Sequence, residues 1–225
     1  MSTTEEAGRR LDLSSCSVFV DFDGTISRQD VGIAVLEQFA SGWEEVDGRY
    51  ERGEIGSREY VRALWPLLDG AEMADLLAAA RRVPLDPGFG PLVAYLRANG
   101  AEVTVVSDGI GFYVATRVAA FGVDVMANAH KGRRARFPFA CATCPCGLCG
   151  TCKATPVSAA RRRGRTTVVI GDGTSDRFAA AAADLVFAKG RLVDWCEASA
   201  TAFTPYGELA DVEAALRRRR PPGRE

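Results

Sequence analysis

Three short apolar runs that lack polar alternation constrain this chain most. They are Val18-Phe19-Val20, Val103-Thr104-Val105-Val106 and Thr166-Thr167-Val168-Val169-Ile170. A strand buried on both faces reads this way, because neither side of its pleat meets water. Such strands belong to parallel sheets covered by helices. Separated by helix-length segments, they predict an α/β fold with right-handed βαβ crossovers. Each run ends in polar residues: Asp21-Phe22-Asp23-Gly24-Thr25, then Ser107-Asp108-Gly109, then Gly171-Asp172-Gly173-Thr174-Ser175-Asp176. In a parallel sheet these ends share one edge, which is where open α/β sheets hold ligands.

Between the first and second runs, Gln29 to Val83 reads as helix throughout. Val31, Ala34, Val35 and Phe39 recur at helical spacing, as do Tyr60, Leu64 and Leu68, and then Met73, Leu76 and Ala80. Arg52 to Gly56 is a break, and Ser57 is placed to cap the next helix. These residues form a small helical module beside the core. Further on, a helix through Leu92 and Leu96 stops at Asn99-Gly100, Tyr113 to Phe121 reads as helix and Val123 to Met126 as a short strand. Lys131 to Arg134 reads as a solvated hairpin tip. Lys153 to Arg163 and Arg177 to Ala183 read as helices, Leu185 to Phe187 as a strand, and the segment after Asp211 as a closing helix.

The polar ends also carry a chemistry. Asp21 and Asp23 are two apart and leave a strand on the same side. Two carboxylates so close repel unless a cation lies between them. With Asp172 and Asp176 they make a carboxylate cluster suited to Mg²⁺, with the Ser107 hydroxyl and the Lys153 ammonium alongside. Such an ensemble suits a phosphoryl group, whose charge must be neutralised in the transition state. Asp21 is the expected nucleophile and Asp23 the expected general acid and base. Asp21, the Asp23 carbonyl and Asp172 would hold Mg²⁺, with Asp176 behind them. Ser107, Lys153 and backbone amides near Gly24 and Gly109 would meet the phosphate.

These motifs, together with Lys153, resemble the four motifs of the haloacid dehalogenase superfamily over about residues 17 to 190. The resemblance implies a Rossmann-like three-layer core at residues 14–28 and 84–225. It makes 29–83 a helical cap that closes over the substrate, and 127–152 a cysteine-rich insert in the core. It implies Mg²⁺-dependent hydrolysis of a small phosphomonoester through an aspartyl-phosphate, with Thr25, Asp30 and Gly109 among the substrate-binding residues. The branch it most resembles is that of phosphoserine phosphatases, where the position of Asp30 carries a glutamate for the substrate amino group. Within that branch it is most similar to phosphatases related to 2-hydroxy-3-keto-5-methylthiopentenyl-1-phosphate phosphatase. A phosphoserine phosphatase, a phosphomutase of the same fold and a non-catalytic module binding a phospho-ligand are the alternatives. The last is disfavoured by the presence of both Asp21 and Asp23.

Five of the seven cysteines fall in one run, Cys141, Cys144, Cys146, Cys149 and Cys152. Their spacing suits structural Zn²⁺, although the pairs are more compact than in most zinc sites. A disulfide between two of the five, or free thiols in a loop, are the alternatives. In each case, ordering this run would position Lys153, which follows Cys152 directly. Cys16 and Cys196 read as packed small hydrophobes, and the single histidine, His130, as structural. A net charge of −1 gives no case for nucleic acid or an anionic membrane. No apolar run approaches the roughly 18 residues of a spanning helix. The polar first ten residues lack the apolar region of a signal peptide, so a cytoplasmic protein is expected.

Overall fold

The first strand, β1 (Cys16–Val20), is buried along its whole length at the centre of a seven-stranded sheet. The structure is a computed structural model, and it describes residues 11–132, 134–141 and 148–219. After β1 the chain enters the helices α1 (Val31–Phe39), α2 (Trp43–Glu51), α3 (Ser57–Leu64) and α4 (Met73–Arg82). It then runs through α5 (Phe89–Ala98), β2 (Glu102–Ile110), α6 (Gly111–Val118), β3 (Asp124–Lys131) and β4 (Arg134–Arg136). The last part comprises α7 (Ala154–Arg162), β5 (Thr166–Gly171), α8 (Arg177–Ala182), β6 (Leu185–Ala188), α9 (Gly190–Ala198), β7 (Thr204–Pro205) and α10 (Leu209–Arg219).

The strand order is β4-β3-β2-β1-β5-β6-β7, and every pairing is parallel except that of β3 with β4. The unalternating runs have the predicted cause. Val18, Val20, Val105, Val168 and Ile170 point into the larger core, against Leu92, Leu96 and Leu216. Phe19, Val106 and Val169 point the other way, against Val157 and Ala160 of α7 and Ala179 of α8. Both faces are therefore apolar, and burial of each such side chain is worth roughly 1.5–3 kcal/mol.

Register fixes the site. Val20 pairs with Val105 on one side and with Ile170 on the other. The residues just beyond those positions, Asp21, Ser107 and Asp172, consequently emerge together. The helices α1 to α4 leave and rejoin the sheet through a narrow neck. There Ser27 bridges Leu85, the Arg28 amide donates to the Pro84 carbonyl (2.9 Å), and the Asp86 amide to that of Ile26 (2.8 Å).

Some local expectations are corrected. Gly56, not Ser57, occupies the cap position of α3; Ser57 is its first residue and uses its hydroxyl elsewhere. Asp108 and Gly109 lie within β2, whose pairing with β3 shifts between Ser107 and Ile110. The expected short strand at 123–126 continues to Lys131 and turns into the antiparallel β4, so Lys131 and Arg134 face each other at the predicted hairpin tip. Helix α9 and the two-residue β7 had no sequence signal strong enough to anticipate them.

Candidate active site

Beyond β1 the chain turns through Gly24, whose φ of +74° suits glycine. A Cβ at Gly24 would lie 2.3 Å from Asp172 Oδ2, so the turn passes directly against that carboxylate. Asp21 Oδ1 accepts from the Phe22 amide (2.7 Å) and lies 2.7 Å from Lys153 Nζ. Lys153, at the start of α7, also donates to Asp176 Oδ1 (2.8 Å) and Ser175 Oγ (2.9 Å). Asp176 accepts with its other oxygen from the amides of Asp172 (3.2 Å) and Gly173 (3.1 Å). With both oxygens engaged, it serves its neighbours more than an open coordination position.

The charges do not balance within this cluster. Oxygens of Asp21, Asp172 and Asp176 lie within 4.8 Å of one another, and one ammonium accompanies them. Burial and the neighbouring Asp176 hold the Asp21 carboxyl well above the usual carboxylate range, against the opposing pull of Lys153. The same two causes bring Asp172 to about 6. Burial opposes the charge on Lys153, but Asp176, Asp21 and Asp108 outweigh it, and its pKa lies well above the ordinary value. Hard oxygen donors with surplus negative charge fit a divalent cation such as Mg²⁺.

Asp23 sits apart from that cluster. Its Oδ1 accepts from the Val31 amide at the start of α1 (2.9 Å), and its Oδ2 from the Tyr113 hydroxyl (3.0 Å) and Ser107 Oγ (3.4 Å). Burial, then the nearby Asp30, raises its carboxyl to about 8. Two carboxylates two residues apart thus meet different environments, one among charges and one among neutral donors.

The cavity above these groups has a volume of about 400 Å³. Asp21, Asp23, Ser107 and Lys153 form its floor, with Gly109, Asp172 and Asp30 also lining it. Asp30 caps α1, its Oδ1 accepting from the Ile33 amide (2.8 Å). The Gly109 amide donates to Ser107 Oγ (2.9 Å), so it orients that hydroxyl instead of facing the open cavity. Thr25 is corrected: it is fully buried below the floor, and its hydroxyl donates to Asp172 Oδ1 (2.9 Å). It orients a carboxylate and does not line the cavity. The opposite wall is apolar, with Val61, Leu64, Trp65 and Leu68 from the α3 region and Phe112 from α6. His130 packs against Trp65, ring centroids 4.8 Å apart, away from the carboxylates.

Sequence reasoning missed a second set of contacts. The Arg58 amide donates to the Leu148 carbonyl (3.0 Å), and the Arg58 guanidinium gives two bonds to the Cys149 carbonyl (both 3.1 Å). Gly150 N donates to Ser57 Oγ (2.9 Å), and Thr151 N to Asp108 Oδ1 (2.7 Å). Residues 148–152 thereby strap the start of α3 to β2 and lead straight into Lys153. Cys149 is disulfide-bonded, so its thiolate is not available to zinc in this structure. Cys144 and Cys146 lie outside the described residues. Cys152 is buried and accepts a hydrogen bond from Thr155 Oγ1 (3.1 Å). The one group of three or more metal-ligating side chains among the described residues is the carboxylate cluster, not the cysteines. Cys16 and Cys196 are fully buried, as packed hydrophobes should be.

A sheet edge bearing these four motifs defines a class, and the class has a family: the chain belongs to the haloacid dehalogenase-like hydrolases, whose model matches residues 18–181. Among its relatives is the 2-hydroxy-3-keto-5-methylthiopentenyl-1-phosphate phosphatase of Geobacillus kaustophilus, 32% identical over 89% of this chain and 95% of that protein. The enzyme of the same name from Brevibacillus brevis is 30% identical over 87% and 92%. A substrate-bound phosphoserine phosphatase structure superposes with a TM-score of 0.68 at 18% identity, covering 89% of this chain and 97% of that one, and so shares the fold. The chain is a hydrolase of this family, of the phosphatase kind its relatives represent. Among the described residues, no helix is long and apolar enough to cross a membrane.

Proposed function

We propose that this chain hydrolyses a small phosphomonoester in a Mg²⁺-dependent reaction, with Asp21 as nucleophile and Asp23 as acid and base. The observation that carries the reading is the unlike setting of the two aspartates. Oδ1 of Asp21 is held by Lys153 and the Phe22 amide, which leaves Oδ2 to attack phosphorus. As the ester P–O bond breaks, its electron pair goes to the leaving oxygen and Asp23 delivers the proton. Water then attacks the aspartyl-phosphate while Asp23 takes its proton, and Asp21 is regenerated. Ser107 and Lys153 would hold the phosphoryl oxygens. Asp21, the Asp23 carbonyl and Asp172 would hold Mg²⁺, which when bound offsets the charge of the incoming phosphate. Asp176 would support them from behind.

Within the same reading, residues 29–83 act as a cap over a core of 14–28 and 84–225. Residues 127–152 would be an insert in that core, and the contacts of 148–151 with α3 and β2 support its bracing one wall. The substrate we favour is the one named in the relatives, 2-hydroxy-3-keto-5-methylthiopentenyl-1-phosphate. The apolar wall at Leu64, Trp65 and Leu68 suits a thioether arm better than the charged end of phosphoserine. Asp30, one methylene shorter than glutamate, fits that preference. A cytoplasmic location also belongs to this proposal. The Cys149 disulfide weighs the other way, since most cytosolic thiols are kept reduced.

The test is phosphate release from this ester, phosphoserine and 4-nitrophenyl phosphate, with Mg²⁺ and with EDTA. Release should require Mg²⁺, and Asp21→Asn should lose it by about a thousandfold or more. Undiminished release by Asp21→Asn sinks the mechanism. Phosphate transfer to a second substrate without net release would favour a phosphomutase.

A further inference from the structure

Tyr113 lies outside every motif that marks the site, yet its hydroxyl sits on the acid–base group. Its ring is 4% exposed and wedged between Phe22 (centroids 5.8 Å apart) and Phe112 (5.1 Å, edge-on). Two χ angles and a packed ring leave the hydroxyl little freedom, and it donates to Asp23 Oδ2 at 3.0 Å. The neighbourhood is shaped around that contact. A Cβ at Gly109 would lie 2.2 Å from the Tyr113 hydroxyl and 2.6 Å from Asp23 Oδ2. No larger residue fits there while the bond stands. The other oxygen of Asp23 is fixed by the Val31 amide, so the carboxyl is held at both ends.

We propose that Tyr113 is a positioning residue for the departure of the leaving group. It sets the rotamer of Asp23 so that Oδ2 faces the ester oxygen, and its O–H goes on donating to Asp23 Oδ2 as Asp23 becomes a carboxylate. The proton passes from Asp23 Oδ2 to the leaving oxygen, which keeps the electron pair of the broken P–O bond. A fixed donor aimed at charge that develops only in the transition state needs no reorganisation when the reaction occurs. This rests on the phosphatase reading above, and it assigns Tyr113 an effect that scales with how much the leaving group needs a proton.

The experiment compares kcat/KM for n-butyl phosphate, a poor leaving group, with that for 4-nitrophenyl phosphate, a good one. Tyr113→Phe should lower the alkyl value by about 10- to 100-fold and the nitrophenyl value by less than about threefold. Tyr113→Met, whose flexible side chain fills the ring's space without an O–H, should show the same split. It provides the answer should Tyr113→Phe not fold. Equal losses on both esters, or no loss on either, overturn the proposal. Failure of the underlying reading looks different: Asp21→Asn would then retain activity on both esters in the presence of Mg²⁺.

Discussion

The floor and the wall of the cavity are built by different means. The floor comes from strand ends of a parallel sheet, with each group fixed by backbone register and by two or three partners. Lys153 alone holds Asp21, Asp176 and Ser175. The wall comes from α3, the turn after it and Phe112 of α6, and the strap at 148–152 ties the start of α3 down by a few bonds between segments distant in sequence. The floor is thus dense in charge and sparing in adaptable parts, and the wall is the reverse. On the proposed function, the first would carry the phosphoryl chemistry and the second would meet the rest of the substrate.

The contrast breaks most sharply at Lys153. Lys153→Met leaves buried carboxylates without their ammonium. It should abolish measurable phosphate release and destabilise the fold by about 3 kcal/mol. A stable, active Lys153→Met would mean the floor does not depend on its charge balance. Next in size is a pH effect on the protein held in EDTA. Burial raises Asp172 to about 6 and Asp23 to about 8, whereas an unfolded aspartate titrates near about 4. Folded pKa values above unfolded ones give stability that is present at pH 4 and lost as pH rises to 8. Melting temperature in EDTA should fall between pH 5 and pH 8.5, and Mg²⁺ should narrow the difference. A flat profile would show that the surplus charge is already neutralised. The smallest effect belongs to the wall. Arg58→Ala removes two bonds to the Cys149 carbonyl, costs about 1 kcal/mol and changes kcat by less than about threefold. Faster amide exchange at residues 148–152 is its signature, and unchanged exchange would deny that this strap is held by Arg58.

The same division explains what could be read from the sequence. The floor was legible because a doubly buried strand cannot alternate, and because polar ends recurring on three such strands are more than turns at each would explain. Val18-Phe19-Val20-Asp21 states both facts in four residues. The wall was legible only as helical periodicity. Spacing shows that Leu64 and Leu68 share a face, not what that face meets. Tyr113 gave no signal, since an aromatic near a helix start is usually core, and its hydroxyl acquires meaning only across 90 residues of chain from Asp23. Thr25 misled for the opposite reason. It follows Asp21 and Asp23, which both line the cavity, but beyond the turn at Gly24 its hydroxyl lies against Asp172. Ser57 looked like a cap because of its hydroxyl, and that hydroxyl was already committed to Gly150 in a distant segment.

The neck at Ser27 and Leu85 has a consequence for how such a protein can change. Its two strands touch, so the excursion begins and ends at nearly the same point in space. Lengthening, shortening or replacing the residues between would alter the closure cost only logarithmically. On the proposed function, length could then be gained or lost in the loops of this excursion while the Val31 amide goes on holding Asp23 and the sheet-end groups stay where register puts them.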